Sequence, residues 1–401
     1  MLMCYDKKEC FGKKESIAMR NYIARRFQTA QDSVMASAAA EKGAYSDLID
    51  LSIGDTDFTT DERIIRAAME DALAGHTHYT SPQGDPELID EIRTYYKTAH
   101  NMDLAREQVF ISASSCFGME LALMSILDPG DEVILFAPYF SPYKEQVELT
   151  GGVAVEVPCL EEEGFAINAQ RLRAAITPRT KAMIVNNPCN PTGAAYDLQT
   201  YQTLAQVAEE FDLVVILDEI YTDYMFEEPF RPFRGLPGMA QRSITLNSFS
   251  KNYIMTGWRV GSIIAEPAVI DTIKRINENM VYSAPSVSQR AAIHALRLRS
   301  EIGDKYTGEY RRRVFYTAER INAIPKLSVR EPQGTFYLFM NIKQTGLDSI
   351  AFCQKCVKEA HVAMVPGVAF GAAGEGYVRI ACTTSEEKLG EAFDRIAALK
   401  F

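Results

Sequence analysis

Leu213-Val214-Val215-Ile216-Leu217-Asp218-Glu219-Ile220-Tyr221 runs five apolar residues straight into two carboxylates and a tyrosine. An apolar run of strand length, with no polar alternation, is the pattern of a strand buried on both faces. Similar runs stand at Val109-Phe110-Ile111-Ser112, Val133-Ile134-Leu135-Phe136, 153–157 and Ala182-Met183-Ile184-Val185, with Ser243-Ile244-Thr245-Leu246 further on. Helical periodicity covers 117–127 and 198–211 between them. Strands of this kind alternating with helices predict an α/β fold: a mostly parallel sheet sandwiched by helices. In such open sheets ligands bind beyond the carboxyl ends of the strands. Asp218 stands at such an end.

Upstream, a short strand over 48–54 runs into Gly54, and helices are expected over 61–74 and 86–100. The loop 75–85 between them carries Tyr79. Downstream, 269–282, 286–298 and the charged segment 301–324 have helical period. An α+β unit comes next, with strands at 327–330, 335–341, 363–365 and 377–381, a helix over 348–360 and a closing helix to 399. The expected organisation is an N-terminal arm or helix over 1–47, a large domain over 48–300 and a small α+β domain over 301–401. Residues 48–60 would contribute to the small domain or to the substrate site, so the small domain would draw on both ends of the chain.

The 401 residues carry 42 basic and 53 acidic side chains, a formal net charge of −11, which does not favour nucleic acid. No apolar run approaches the ~18 residues that span a membrane, and no apolar stretch follows the basic N-terminal residues as in a secretory signal. The eight cysteines follow no framework spacing and read as reduced thiols of a cytoplasmic protein. Cys353 and Cys356 form a CxxC pair with no second pair, and the five histidines lack ligand spacing, so no metal is expected.

Four further places at expected strand ends carry chemistry. In Ser248-Phe249-Ser250-Lys251, a lysine stands among small hydroxyls, with Arg259 eight positions on. A sheltered lysine amine can attack an aldehyde and form a Schiff base, while Ser248, Ser250 and Arg259 suit a phosphate. An aldehyde and a phosphate on one small molecule suggest pyridoxal 5′-phosphate. Asp218 would then be the partner of a protonated pyridine nitrogen, because a carboxylate at the end of a buried strand needs a cation. Tyr221 can reach the same ring. In Asn186-Asn187-Pro188-Cys189-Asn190-Pro191-Thr192-Gly193, two prolines and a glycine fix the backbone, and Asn190 can donate to a ring oxygen. The turn Ser112-Ala113-Ser114-Ser115 offers amides at a helix start, suited to phosphate. Arg379 interrupts the apolar Tyr377-Val378-Arg379-Ile380, and a buried arginine needs an anion such as a carboxylate.

The chain resembles the class I/II aminotransferases, the fold-type-I family of pyridoxal-phosphate enzymes. The matching motifs are NNPCNPTG (186–193), LDEIY (217–221), SFSKNYIMTGWRVG (248–261) and YVRIACTTS (377–385), in that order. Weaker matches are LSIGDTDF (51–58), HYTSPQGDPELIDEI (78–92), LFAPYFSPY (135–143), PQGTFYLF (332–339) and VPGVAFG (365–371), so the likeness covers nearly everything from about residue 48 onward. The resemblance implies that Lys251 holds the cofactor as a Schiff base and shuttles the substrate proton, and that Asp218 pairs with the pyridine nitrogen. It implies that Asn190 and Tyr221 bond the ring hydroxyl oxygen and that Phe140 stacks on the ring. Ser248, Ser250, Arg259 and the amides of Ser114 and Ser115 would hold the phosphate. Tyr79 would reach the cofactor of the neighbouring subunit, making a homodimer with shared active sites. Arg379 would clamp the substrate α-carboxylate, with help from the Gly54 backbone and from Asn190. Pro138 and Pro191 are candidates for cis peptide bonds.

The implied reaction is ping-pong transfer of an amino group between an L-amino acid and a 2-oxo acid. A β-lyase on the same fold and an amino-acid-sensing regulator are the alternatives. Two departures from the family pattern stand out. Ser114-Ser115 replaces a glycine pair, and Cys116 stands where some aspartate-specific members carry a lysine for the distal carboxylate. The second points toward an aromatic, aliphatic or N-acylated diamino-acid donor.

Overall fold

A computed structural model describes residues 22–24, 27 and 45–401. The expected arm over 1–47 therefore lies almost wholly outside the described residues. Twelve strands are present among the described residues: β1 (Ile49–Asp50), β2 (Val109–Ser112), β3 (Glu132–Ala137), β4 (Val153–Pro158), β5 (Thr180–Asn186), β6 (Val214–Asp218), β7 (Ser243–Ser248), β8 (Gly261–Ile264), β9 (Tyr337–Asn341), β10 (Val362–Ala363), β11 (Val365–Pro366) and β12 (Tyr377–Ala381). Seven form the main sheet in the order β2-β8-β7-β6-β5-β3-β4. Its pairs are parallel except those of β8, which runs antiparallel to both neighbours. Most of the apolar strands are buried as expected: β2 and β3 expose no residue, and only Val214 of β6 is partly open. The run 153–157 is the exception, because β4 is an edge strand and buries only Val157.

Register places the chemistry. Asn186 pairs with Asp218, and Asp218 with Leu246. The loops leaving β5, β6 and β7 therefore emerge side by side and bring Asn190, Tyr221 and Lys251 together. One row further on, Gly261 pairs with both Ser112 and Ser248. That aligns the turn before the helix Ser115–Ile126, the segment after β7 and the approach from Arg259. The backbones meet so closely that a Cβ on Gly261 would lie 2.7 Å from the Ser115 amide nitrogen.

The helices start where the caps predict. Asp61 caps Glu62–Leu73 and Asp85 caps Pro86–His100, each accepting from a backbone N–H of the first turn. In the second, Leu88, Ile89, Ile92 and Tyr96 form the buried face. Two short helices, Pro142–Leu149 and Ala169–Ala175, had no clear periodic signal.

The C-terminal elements correct several expectations. The strand expected over 327–330 is only an isolated bridge, Ser328 to Asn341. The strand expected over 363–365 is split at Met364: β10 pairs with β1, while β11 joins β12 and β9 in an antiparallel sheet. The helix expected over 348–360 is α-helical over Ser349–Lys355, then widens to a π-turn over Cys356–Ala360, ended by His361 in the left-handed region at φ 53°. The helix expected to reach Tyr282 stops at Glu278, where Asn277 Nδ2 donates to the Tyr282 carbonyl at 2.8 Å. Through β1 and β10, and through the Ala381 N–H donating to the Leu51 carbonyl at 2.8 Å, the segment 49–51 is bound to the C-terminal elements. Cys353 and Cys356 are buried free thiols, and no cluster of metal-ligating side chains occurs among the described residues. None of the described helices is long and apolar enough to cross a membrane.

Candidate active site

A cavity of about 490 Å³ opens at the carboxyl edge of β5, β6 and β7 and is lined in part by Lys251, Asp218, Asn190, Tyr221, Arg259 and Arg379. Ser115, Phe140, Ser248, Ser250 and Gly54 also line it. Lys251 lies in the four-residue helix Phe249–Asn252, and its Nζ donates to the Gly54 carbonyl at 2.6 Å. It is the only amine among the described residues lining the cavity.

Asp218 ends β6 and is 5% exposed. Its Oδ2 accepts from the Tyr143 hydroxyl, and its Oδ1 is buried without a hydrogen-bond partner. Burial pushes its carboxyl up to about 6, against the Tyr143 hydrogen bond that pulls it down. A buried carboxylate held above its ordinary range, with one oxygen unsatisfied, is poised for a cation.

The turn that carries Asn190 is set by proline geometry. Asn190-Pro191 and, at the end of β3, Ala137-Pro138 are cis as expected, and Asn187-Pro188 is cis as well. The Asn190 side chain is buried, and its Oδ1 accepts from Arg379 at 3.2 Å. The Tyr221 hydroxyl lies 3.4 Å from that of Tyr337. Ser248 Oγ caps its short helix by accepting from Ser250 N–H at 3.1 Å. Arg259 is held in the left-handed region at φ 53°, donates to the Thr256 carbonyl at 2.8 Å, and pairs with no carboxylate among the described residues.

Three expected contributors sit differently. Ser114 does not line the cavity, whereas Ser115 does. The Ser114 Oγ is turned to cap the helix Ser115–Ile126, accepting from Phe117 N–H at 3.1 Å, and its backbone is strained at φ 128°. The Gly54 carbonyl is engaged by Lys251, and it is the Ser52 carbonyl that accepts from Arg379, at 2.6 Å. Tyr79 lies outside the cavity, 84% exposed and edge-on to Tyr282 at 5.1 Å between centroids.

Tyr143, Tyr337 and Ser52 were not legible as site residues. Tyr143 sits 75 positions before Asp218, at the end of the weaker LFAPYFSPY match, which gives it no role; only packing brings the two together. Its hydrogen bond to a charged acceptor is of the stronger kind, worth about 1.5–3 kcal/mol. Tyr143→Phe should raise the Asp218 pKa further and weaken cofactor affinity about tenfold, measurable by equilibrium dialysis of the apoprotein. An unchanged affinity would sink that role.

An α/β sheet whose carboxyl edge gathers a lone amine, a cation-seeking aspartate and an unpaired arginine near backbone amides defines a pyridoxal-phosphate enzyme of fold type I. The model of the family "Aminotransferase class I and II" matches residues 46–396. The aspartate aminotransferase of Pyrococcus horikoshii is 35% identical over 377 residues, covering 94% of this chain and 96% of that protein. The aromatic-amino-acid aminotransferase 2 of Thermococcus litoralis is 38% identical over 353 residues, covering 87% and 90%. The structure of the Thermus thermophilus aspartate aminotransferase with maleate superposes with a TM-score of 0.89 at 33% identity, covering 94% of this chain and 99% of that one. The chain belongs to the class I and II aminotransferase family and is a pyridoxal-phosphate-dependent aminotransferase. These relatives give no support to the β-lyase or the sensor reading.

The cavity fits that cofactor. The unsatisfied Asp218 Oδ1 suits a cationic ring nitrogen, and Arg259, which has no carboxylate partner among the described residues, suits a phosphate beside Ser115 at the start of its helix.

Proposed function

We propose that the enzyme transfers the amino group of an L-amino acid with a neutral, aromatic or aliphatic side chain to a 2-oxo acid. Arg379 carries this reading: it is 4% exposed, lines the cavity, and has no carboxylate partner among the described residues. A buried arginine in that state supports an anionic ligand, and the α-carboxylate common to both substrates matches its fork. Lys251, Arg259 and Arg379 are the cationic side chains among the described residues lining the cavity. With Lys251 and Arg259 given to the cofactor and Arg379 to the α-carboxylate, none remains among the described lining residues of this chain for a second carboxylate. Ile53, Cys116, Phe140 and Val365 offer apolar surface instead.

Bound pyridoxal phosphate supplies an electron-withdrawing ring that makes the substrate Cα proton acidic. Asp218 would hold the ring nitrogen, Asn190 and Tyr221 the ring oxygen, Phe140 a ring face, and Ser115, Ser248, Ser250 and Arg259 the phosphate. Ser114 would act through the helix start it caps. Lys251 would hold the cofactor covalently through Nζ and, once displaced by substrate, move the Cα proton with that same nitrogen. Arg379, with Asn190 and the Gly54 segment, would fix the orientation of the Cα–H bond.

A half-reaction screen of the free amino acids against the cofactor's visible absorption band tests the donor class. Phenylalanine, tyrosine, leucine or methionine should exceed aspartate and glutamate in kcat/KM by about tenfold or more, the scale of one unfavourable buried charge contact. Aspartate as the best donor would overturn it.

The protein would act in amino-acid metabolism as a cytoplasmic homodimer, with Tyr79 reaching the partner's cofactor. Supporting this are the exposed Tyr79, Met280, Val281 and Tyr282, which give an apolar surface beside the loop 75–85. Sedimentation at twice the 44.8 kDa chain mass checks it, and a monomer with full activity would refute it. The division into a large domain over 48–300 and a small one over 301–401, with 49–51 docked on the latter, is part of the same reading.

A further inference from the structure

Where a counter-ion to Arg379 would ordinarily stand, there are two aromatic rings. The guanidinium carbon lies 4.5 Å from the centroid of Tyr337 and 5.0 Å from that of Phe370, and both rings are buried. We propose that Tyr337 and Phe370 are positioning residues that form an aromatic clamp on Arg379, holding its fork toward the substrate carboxylate without neutralising it. The inference rests on Arg379 being the carboxylate grip.

The choice of partner has a chemical consequence. A structural carboxylate would occupy two N–H groups and cancel the charge. A ring face attracts the cation through its quadrupole and takes no N–H. Of the five guanidinium N–H groups, one goes to Asn190 Oδ1 and one to the Ser52 carbonyl. The buried Nε has no partner. Enough donors are left for a bidentate carboxylate, on a cation still at full charge in a place shielded from water.

Each ring is fixed by a different element. Tyr337 opens β9, whose register with β12 sets Phe339 opposite Arg379 and Tyr337 opposite Ala381. Its N–H donates to Thr335 Oγ1 at 3.0 Å, and Thr335 is itself held at φ 62° by its N–H donating to the Tyr224 carbonyl at 3.0 Å. A β-branched residue keeps that conformation only where its surroundings enforce it. The Tyr337 hydroxyl fills the space over Gly54, where an added Cβ would lie 1.7 Å from it. Phe370 comes from the short helical turn Gly367–Phe370, and its carbonyl accepts from the Tyr139 N–H at 3.0 Å, which ties that turn to the end of β3.

The test compares Tyr337→Leu, Phe370→Leu, Tyr337→Phe and Arg379→Met in the holoenzyme. Two readouts are the KM of the best donor and of its 2-oxo acid acceptor. A third is the calorimetric Kd, in apoprotein and holoenzyme, of 3-phenylpropionate, a carboxylate with no amine. Each leucine variant should raise both KM values about tenfold and weaken 3-phenylpropionate to match where it binds, and Phe370→Leu should leave cofactor affinity as in the parent. Tyr337→Phe keeps the ring and should stay within about twofold of the parent. Parent-like KM values in both leucine variants would overturn the clamp, as would a Tyr337→Phe as impaired as Tyr337→Leu. If Tyr337→Leu does not fold, Phe370→Leu decides. Should Arg379→Met leave the KM values unchanged, the carboxylate grip itself fails; should it raise them while the leucine variants do not, only the clamp fails.

Discussion

Lys251→Ala is expected to lower transamination by about 10²–10⁴-fold, the range for losing a positioned acid–base group, and to abolish covalent retention of the cofactor. The reason is the company Lys251 keeps. Among the described residues, no other amine and no histidine line the cavity. Tyr221 is a poor substitute base, since burial, then Tyr337, pushes its hydroxyl well above the ordinary tyrosine range. Asp218 is engaged by Tyr143 on one oxygen and by the proposed ring nitrogen on the other. Lys251 Nζ is the one basic nitrogen among the described lining residues placed to take the proton. Borohydride treatment and then peptide mapping should fix the cofactor to the peptide containing Lys251 in the parent and nowhere in the variant. Retained turnover together with a labelled peptide elsewhere would assign the chemistry to another residue.

Asp218→Asn should act in opposite directions on function and on apoprotein stability. Removing one partner of a buried ion pair costs about 3–5 kcal/mol, so cofactor affinity or turnover should fall about 10²–10⁴-fold. In the apoprotein the cation is absent. There Asp218 has its carboxyl raised from 3.8 to about 6 by burial. Between those two values the native state keeps a proton that the unfolded chain has released, so stability falls as pH rises through about 6. Asparagine removes that loss. The apo variant should therefore melt above the apo parent at pH 8, by a margin that shrinks toward pH 5. A variant less stable than the parent at pH 8 would mean that Asp218 serves the fold and not a cationic ligand.

Much of the site was legible because its residues sit in short, rigid stretches at strand ends. Once 213–217 is a buried strand, Asp218 has to be at its carboxyl end, and the same holds for Asn190 after β5 and Lys251 after β7. The parts that were not legible depend on contacts across long separations. Tyr143 lies on a helix of eight residues with a weak amphipathic pattern, and its link to Asp218 exists only through packing. Tyr337 looked like one more apolar position of a strand. The break at Met364 was hidden because Val362 through Pro366 are apolar whichever sheet they join.

By itself the sequence determined the fold class, the order of the motifs and the residues at the strand ends. Uninterrupted apolar runs of that length pack as buried strands, and the polar residues after each run have to leave the sheet at its edge. Only the tertiary structure decided how those residues are used. Asp218 and Glu219 are adjacent carboxylates, equal candidates in one dimension. Successive residues of an extended chain face opposite sides, so Asp218 lines the cavity, while Glu219 Oε1 accepts from the Phe233 N–H at 3.3 Å outside it. Arg379 could have met a structural carboxylate; the pairing of β9 with β12 and the turn Gly367–Phe370 put aromatic rings there instead. Side-chain direction and long-range register set these outcomes, and neither is written in local composition.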